Sequence, residues 1–300
     1  MIAESPRPQA MLFTLWGDYI SPRGGEIWVG SLIRIAREFG LSELALRSVL
    51  SRMTRAGWLE AARHSNRSYY RLARRGQAVI EEGTARIFRP RRQPWDRRWH
   101  LLTYSIPESQ RDVRDQFRKR LTYLGFGALS AGAWITPHDL RSGVSELAGD
   151  LGLDGSVDQF RGEYLRPQDG PELARRVWPL ERLAEAYCAF RQRWQDIAAE
   201  STDEAAIPDA RAFVLRFWLI HEYQRFFLED PDLPPELVPS DWPGYEAADF
   251  FETLHDRLAP GANRFFDSVF EPHPRRQGMP TRRLARQPVP TRLGSAAPAR

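Results

Sequence analysis

The sequence is short of cysteine and lysine: Cys188 and Lys119 are the only examples in 300 residues. A single thiol excludes an internal disulfide framework and any cysteine-based zinc site. The lack of disulfides agrees with a reducing compartment. No run of about 18 apolar residues is present, and the opening MIAESPRPQA has no apolar stretch long enough for a signal peptide. We therefore expect a cytoplasmic protein with no membrane partner.

Catalytic and cofactor motifs are also missing. The chain contains no GxSxG, no P-loop, no HExxH and no GxGxxG after a strand. His221 and Glu222 resemble a catalytic pair, but adjacent helical residues point about 100° apart. The sequence thus predicts a non-enzyme that needs no metal or cofactor.

The charge is unevenly distributed along the chain. Residues 1–95 hold 16 arginines and eight acidic residues, whereas residues 166–260 hold ten arginines and 19 acidic residues. A basic front half suits a polyanionic partner, and the acidic back half does not. This asymmetry favours nucleic acid as a partner of the N-terminal region.

Two amphipathic helices with a tight turn between them occupy that basic region. Residues 29–39 form the first helix, Gly40 is placed to end it, and Ser42 can cap the second. The apolar residues of the second helix lie within roughly 100° of its circumference; they are Leu46, Val49, Leu50 and Met53. The opposite side carries basic and hydroxyl side chains: Arg47, Ser48, Ser51, Arg52 and Arg55. This side is either a solvated face or a DNA-recognition face.

The segment after Gly57 decides between these alternatives. WLEAARHSNRSYYRL is typical of a strand, a polar turn at His64–Arg67 and a second strand. A helix pair followed by a hairpin with a basic tip is the order of a winged helix-turn-helix, which binds double-stranded DNA. In this interpretation Arg47 and Ser48 read base edges, and Ser51, Arg52 and Arg55 hold phosphates. The wing residues Arg63, Asn66 and Arg67 reach the minor groove or the backbone.

The remaining chain changes character twice. A β-α-β-(β)-α-β order, with a short hairpin inside 126–135, predicts a ferredoxin-like α+β central domain. An all-α C-terminal domain follows, with helix breaks near Pro208 and Pro260 and an extended or turn-rich DPDLPPELVPSDWPG. The fold class is therefore α+β and multi-domain. The predicted boundaries are 1–94, 95–168, 169–273 and a disordered Arg/Pro-rich tail at 274–300.

Several separated segments together resemble the PaaX family, repressors of phenylacetic acid degradation operons. They are the helix pair GSLIRIAREFGLSELALRSVLSRMTRAGWLE, the wing NRSYYRLARRG, the strand YSIPE, the segment GFGALSAGAWITP and the proline-rich segment. The resemblance spans roughly residues 10–272. It implies a homodimeric winged-helix repressor that phenylacetyl-coenzyme A releases from its operator. Where the family usually has Gly-Arg this chain has Asn66-Arg67, and asparagine tolerates positive φ almost as glycine does, so we expect the turn to survive.

Such an effector needs an aromatic-lined pocket and phosphate-binding arginines. Candidate residues lie on or beside one helix and in the proline-rich segment: Trp218, His221, Tyr223, Arg225 and Trp242. Their aromatic rings could equally be core. A different effector in another pathway is one alternative. A metal-dependent nuclease is another, since the central domain is similar to CRISPR-adaptation nucleases; however, Ser105 stands where those enzymes carry a metal-binding aspartate, and a hydroxyl is a poor substitute.

Overall fold

The computed structural model describes residues 8–87, 92, 94–165, 170–202 and 207–271. Within these ranges the chain contains helices and two antiparallel sheets, with a helical region at the C-terminal side. The described residues group into two compact units, one drawn from Met1–Phe88 and from Phe266 onward, and the other drawn from Arg89–Phe265. The predicted tail at 274–300 lies outside the described residues.

The first unit combines helices with a small sheet. Its elements are α1 (Pro8–Leu15), a π-helical turn (Trp16–Ile20), β1 (Glu26–Trp28), α2 (Val29–Arg37), α3 (Glu43–Arg55), β2 (Leu59–His64), β3 (Arg67–Leu72) and α4 (Arg74–Ile87). The strands are antiparallel in the order β1-β3-β2. The helix pair and the following hairpin were both predicted from periodicity, and both are confirmed.

The second unit begins with a four-stranded antiparallel sheet. Its elements are β4 (Trp99–Tyr104), α5 (Arg111–Leu124), β5 (Gly127–Ala128), β6 (Ala133–Thr136), α6 (Arg141–Asp150) and β7 (Val157–Gly162). The strand order is β5-β6-β4-β7, so the predicted hairpin inside 126–135 is present. Both helices contribute to the core: Phe117 and Leu121 from α5, and Val144 from α6, pack with Leu102 and Trp134 of the sheet.

The other helices of this unit are α7 (Gly170–Val177), α8 (Leu180–Glu200), α9 (Asp209–Tyr223), α10 (Phe226–Glu229) and α11 (Pro243–Val269). The last residues of α11, from Phe266 on, belong to the first unit. Pro208 precedes α9 directly, as predicted for a helix break. The proline-rich segment contains only a short 3-10 turn, Pro235–Leu237, and is otherwise non-helical before α11. None of the helices in the described ranges combines the length and the apolar character that crossing a bilayer requires.

The prediction that Pro260 interrupts the last helix is wrong, because α11 runs through it without a break. Proline has no N–H to donate to the carbonyl four residues earlier. Pro260 is exposed, so water can solvate that carbonyl in place of the missing bond. Leu258 and Ala262, on either side of it, are buried and hold the helix by packing.

Candidate nucleic-acid interface

Local backbone chemistry fixes the two ends of the turn between α2 and α3. Gly40 has φ 69°, in the left-handed region where a side chain would be strained. The N–H of Leu41 donates to the carbonyl of Ala36 at 3.0 Å and closes the turn. Ser42 then caps α3, because its Oγ accepts a hydrogen bond from the N–H of Ala45 at 3.2 Å. The predicted stop and start signals are thus confirmed.

One face of α3 is fixed by burial. Leu46 and Leu50 are fully buried, Met53 is 2% exposed and Val49 is 3% exposed. Burying such side chains contributes about 1.5–3 kcal/mol each. Because these four residues define the rotation of the helix about its axis, the opposite face has to point toward solvent.

That opposite face carries every predicted recognition residue of α3. Arg47, Ser48, Ser51, Arg52 and Arg55 are all exposed. Arg47 Nε lies 2.9 Å from Glu43 Oε1, and Arg52 Nη1 donates to Ser48 Oγ at 3.4 Å. Exposed pairs of this kind stabilise a protein by about 1 kcal/mol at most, so a phosphate or a base edge can displace them. The structure therefore brings the five residues together on one accessible surface.

The hairpin next to α3 turns at Ser65 and Asn66. Ser65, rather than Asn66, adopts the positive φ of the turn, at 53°. The tolerance of asparagine for that region is therefore not what preserves the turn; Ser65 occupies the first position of the two-residue loop and takes the strain. Arg63 Nη2 donates to Asn66 Oδ1 at 3.4 Å, and both residues are exposed.

Arg67 differs from the other predicted wing residues because its side chain contacts residues of the first unit outside the hairpin. Its Nη1 lies 2.6 Å from Glu271 Oε2, and its guanidinium carbon lies 4.3 Å from the centre of the Trp28 ring. The hydrogen bond to Glu271 raises the pKa of Arg67. Partial burial acts to raise the pKa of Glu271, but hydrogen bonds from Arg67 and Arg34 hold that pKa below its usual range. Arg67 stays about half exposed.

Other charged residues of this unit were missed by the sequence analysis. Arg71 bonds Glu60 Oε2 through Nη2 at 2.5 Å and Nε at 2.8 Å. Counting outward from the turn would have placed these two residues opposite each other, as the strand register does. Arg75 stacks 3.8 Å above the Trp58 ring. No spacing rule in the sequence indicates that second contact.

The candidate effector residues of α9 and the proline-rich segment are largely packed into the protein. Tyr223 is 1% exposed and stacks on Phe251 with ring centres 4.0 Å apart. Trp242 is 6% exposed and meets the edge of Tyr187 at 6.2 Å. These contacts are those of core aromatics, the alternative that the sequence left open.

The other three candidates are more accessible. His221 is half-buried and stacks on Phe217 at 5.7 Å, and burial lowers its pKa even though the Glu222 charge acts to raise it. Trp218 lies 5.6 Å from the His221 ring, whereas Arg225 is exposed and sits over Phe226. Because Tyr223 and Trp242 are buried while Arg225 is exposed, the five candidates do not share one accessible surface, and their assignment stays a prediction.

A cavity of about 290 Å³ lies elsewhere in the second unit. Its walls include Arg92, Trp95, His138, Arg161 and Asp232, and none of the five effector candidates. Among the residues that the structure describes, no three or more His, Cys, Asp or Glu side chains group as metal ligands would. Ser105, the position considered for a nuclease, is exposed just after β4, and its N–H donates to the carbonyl of Ser156 at 2.9 Å.

Comparison with known proteins covers nearly the whole chain. Three family profiles match it: "PaaX-like protein" over residues 7–76, "PaaX protein central Cas2-like domain" over 92–174 and "PaaX-like protein C-terminal domain" over 178–268. The chain is 32% identical over 262 residues to the transcriptional repressor PaaX of Escherichia coli K12, covering 85% of this chain and 82% of that protein. A solved structure of an uncharacterized Mycobacterium tuberculosis protein is similar with a TM-score of 0.53 and 27% identity, over 80% of this chain and 89% of that one. The chain therefore belongs to the PaaX family.

Proposed function

We propose that this protein is a DNA-binding transcriptional repressor of a phenylacetate catabolic operon. The observation that carries the proposal is the exposed arginine and serine face of α3, held outward by a buried apolar face and lying in the basic part of the chain. The similarity to a curated transcriptional repressor over 85% of the chain supports the same function.

The proposal assigns a role to each part of the chain. Residues 1–94 are a winged helix-turn-helix, 95–168 a ferredoxin-like domain, and 169–273 a helical domain for effector binding and dimerisation. The order of two helices and a hairpin supports the first assignment, and the β5-β6-β4-β7 order supports the second. The protein acts in the cytoplasm.

DNA contacts follow from the exposed surface. Arg47 and Ser48, near the start of α3, face base edges in the major groove. Ser51, Arg52 and Arg55 contact phosphates, and Arg63, Asn66 and Arg67 reach the minor groove or the backbone. Two copies in a homodimer place two such surfaces on the two half-sites of an operator.

An aryl-coenzyme A thioester such as phenylacetyl-coenzyme A releases the repressor. The mechanism is thermodynamic linkage: an effector that prefers the DNA-incompetent state by about 2–3 kcal/mol weakens operator binding by roughly 30- to 150-fold. The affinity of the effector falls by the same factor when operator DNA is bound. The helical region and its junctions supply the site in this proposal.

Selection of duplexes from a randomised DNA library with the full-length protein tests the first part. A shared, two-fold symmetric sequence should emerge and bind far more tightly than random duplex. Enrichment of no common sequence would reject the proposed repressor.

Titration of the selected complex with phenylacetyl-coenzyme A tests the second part, with free coenzyme A as the control. We expect release by the thioester alone. Release by a different acyl-coenzyme A, and none by phenylacetyl-coenzyme A at saturation, would assign the protein to another pathway.

A further inference from the structure

The first compact unit contains a segment from the far end of the chain. Phe266, in the last turns of α11, is fully buried and stacks on Tyr19 at 5.0 Å between ring centres. Arg23 Nε lies 2.6 Å from Asp267 Oδ1, and its guanidinium carbon lies 4.8 Å from the Phe266 ring centre. The end of α11 is therefore packed against the elements that lead into the helix pair.

Glu271, two residues after the end of α11, makes the most specific of these contacts. Its backbone N–H donates to the Oγ of Ser31 at 3.0 Å, and Ser31 is fully buried in α2. Its carboxylate bridges two arginines: Oε1 lies 2.8 Å from Arg34 Nη2, and Oε2 lies 2.6 Å from Arg67 Nη1. One residue thus joins α2 to the first residue of β3, next to the wing tip.

The ring of Trp28 completes this arrangement. The guanidinium carbon of Arg67 lies 4.3 Å from the ring centre, and that of Arg34 lies 5.4 Å from it. Trp28 itself is fixed because it pairs with Tyr69 of β3 in the sheet register. Arg67 is therefore held by a ring and by a carboxylate whose own backbone is hydrogen-bonded to a buried hydroxyl.

We propose that Glu271 is a positioning residue for the wing: through Arg67 it sets the orientation of the wing tip on DNA. This inference rests on the proposed DNA-binding function. An isolated exposed ion pair contributes little to stability, but a side chain that is already ordered loses less entropy when it binds a phosphate. The Glu271 pair engages Nη1 of Arg67, a guanidinium has further N–H donors, and the side chain is about half exposed, so a phosphate can be contacted while the pair persists.

Glu271→Gln tests the proposal, and Asp267→Asn is its matched control. Both changes remove one negative charge from the same segment, but Asp267 pairs with Arg23 and not with the wing. On the selected duplex we expect Glu271→Gln to bind about fivefold more weakly than Asp267→Asn, the size expected when one ordered arginine side chain is released. Equal binding by the two variants would overturn the proposal. Tighter binding by Glu271→Gln would do so too, and would mean that the carboxylate competes with phosphate.

A double-mutant cycle separates positioning from a general structural effect. In an Arg67→Gln background, Glu271→Gln should change DNA affinity no further, because the arginine side chain through which Glu271 acts is already absent. Glu271→Asp should recover part of the loss, since it keeps the charge but is one methylene shorter. A full additional loss in the Arg67→Gln background would show that Glu271 acts by another route.

Hydrogen exchange on free protein provides a readout that does not depend on DNA. The amides of β2 and β3 should exchange faster in Glu271→Gln than in Asp267→Asn, while those of α3 are unchanged. If selection yields no DNA sequence, the proposed function fails, and faster exchange confined to the hairpin would still support the role of Glu271 in positioning the wing. Unchanged exchange in the hairpin would overturn that role.

Discussion

Helices α3 and α9 differ in how much of their circumference is covered. On α3, a stripe made by Leu46, Val49, Leu50 and Met53 is buried, and the residues between them are exposed. On α9, eight of 15 residues are buried, including Arg216. The first helix keeps one face exposed, whereas most of the second helix is packed against other residues.

This difference in burial distinguishes the predicted DNA-binding residues of α3 from the predicted effector-binding residues on and beside α9. On α3 the polar face lies opposite an apolar stripe and is exposed, as its periodicity predicts. An aromatic-rich helix gives no such indication, since the same residues could line a pocket or fill a core. Comparison of α3 with α9 therefore predicts opposite consequences for substitutions in the two helices.

The largest effect should come from α9. Tyr223→Ala removes a ring that stacks on Phe251 and contacts Phe190 and Phe226, so we expect a loss of about 3–5 kcal/mol in the free energy of unfolding. Denaturant unfolding measures it. The exposed neighbour Arg225→Ala should change the unfolding free energy by about 0.5 kcal/mol or less. A Tyr223→Ala protein of wild-type stability that no longer responds to effector would instead make Tyr223 a ligand contact.

Much of the fold could be predicted because its signals are local. Gly40 and Ser42 define a helix stop and a helix start through backbone preferences of single residues, and both act as predicted. Pro260 shows the limit of such rules. A proline disfavours a helix locally, but Leu258 and Ala262 on either side of it are buried, and packing of this kind outweighs that preference.

The candidate site could be predicted only in part for the same reason. The exposed arginines of α3 follow from periodicity within 13 residues. The partner of Arg67 does not, because Glu271 lies 204 residues away in sequence. Local patterns placed Arg67 next to the turn of the hairpin, where the structure has it, but they could not reveal the carboxylate that holds it.

A smaller effect is expected from substitutions on the exposed face of α3. They should barely change the stability of the protein, but they should lower its affinity for DNA. Arg47→Ala should weaken binding to the selected duplex by about 1–3 kcal/mol and affect random duplex less. Arg55→Ala should weaken both and reduce the slope of log affinity against log salt by about one. Titrations over a range of salt concentrations measure both quantities. If the two variants lose equally on selected and random DNA, the division into base and phosphate contacts is wrong.

The smallest effect concerns the pH dependence of stability, and it again distinguishes α9, through His221, from α3. Burial lowers the pKa of His221 in the folded protein relative to the unfolded chain, whose histidines titrate near about 6.5. Between the two pKa values the unfolded state binds more protons, so the stability of the folded protein is highest above about pH 6.5 and falls as the pH is lowered toward the folded pKa. His221→Gln should therefore flatten the decline in melting temperature between about pH 7 and pH 5. It should not abolish the decline, because burial also lowers the pKa of His100 in β4. If the melting temperature of His221→Gln declines as steeply as that of the wild type, His221 is open to solvent in the folded protein. The difference in burial between α9 and α3 would then be smaller than their packing indicates.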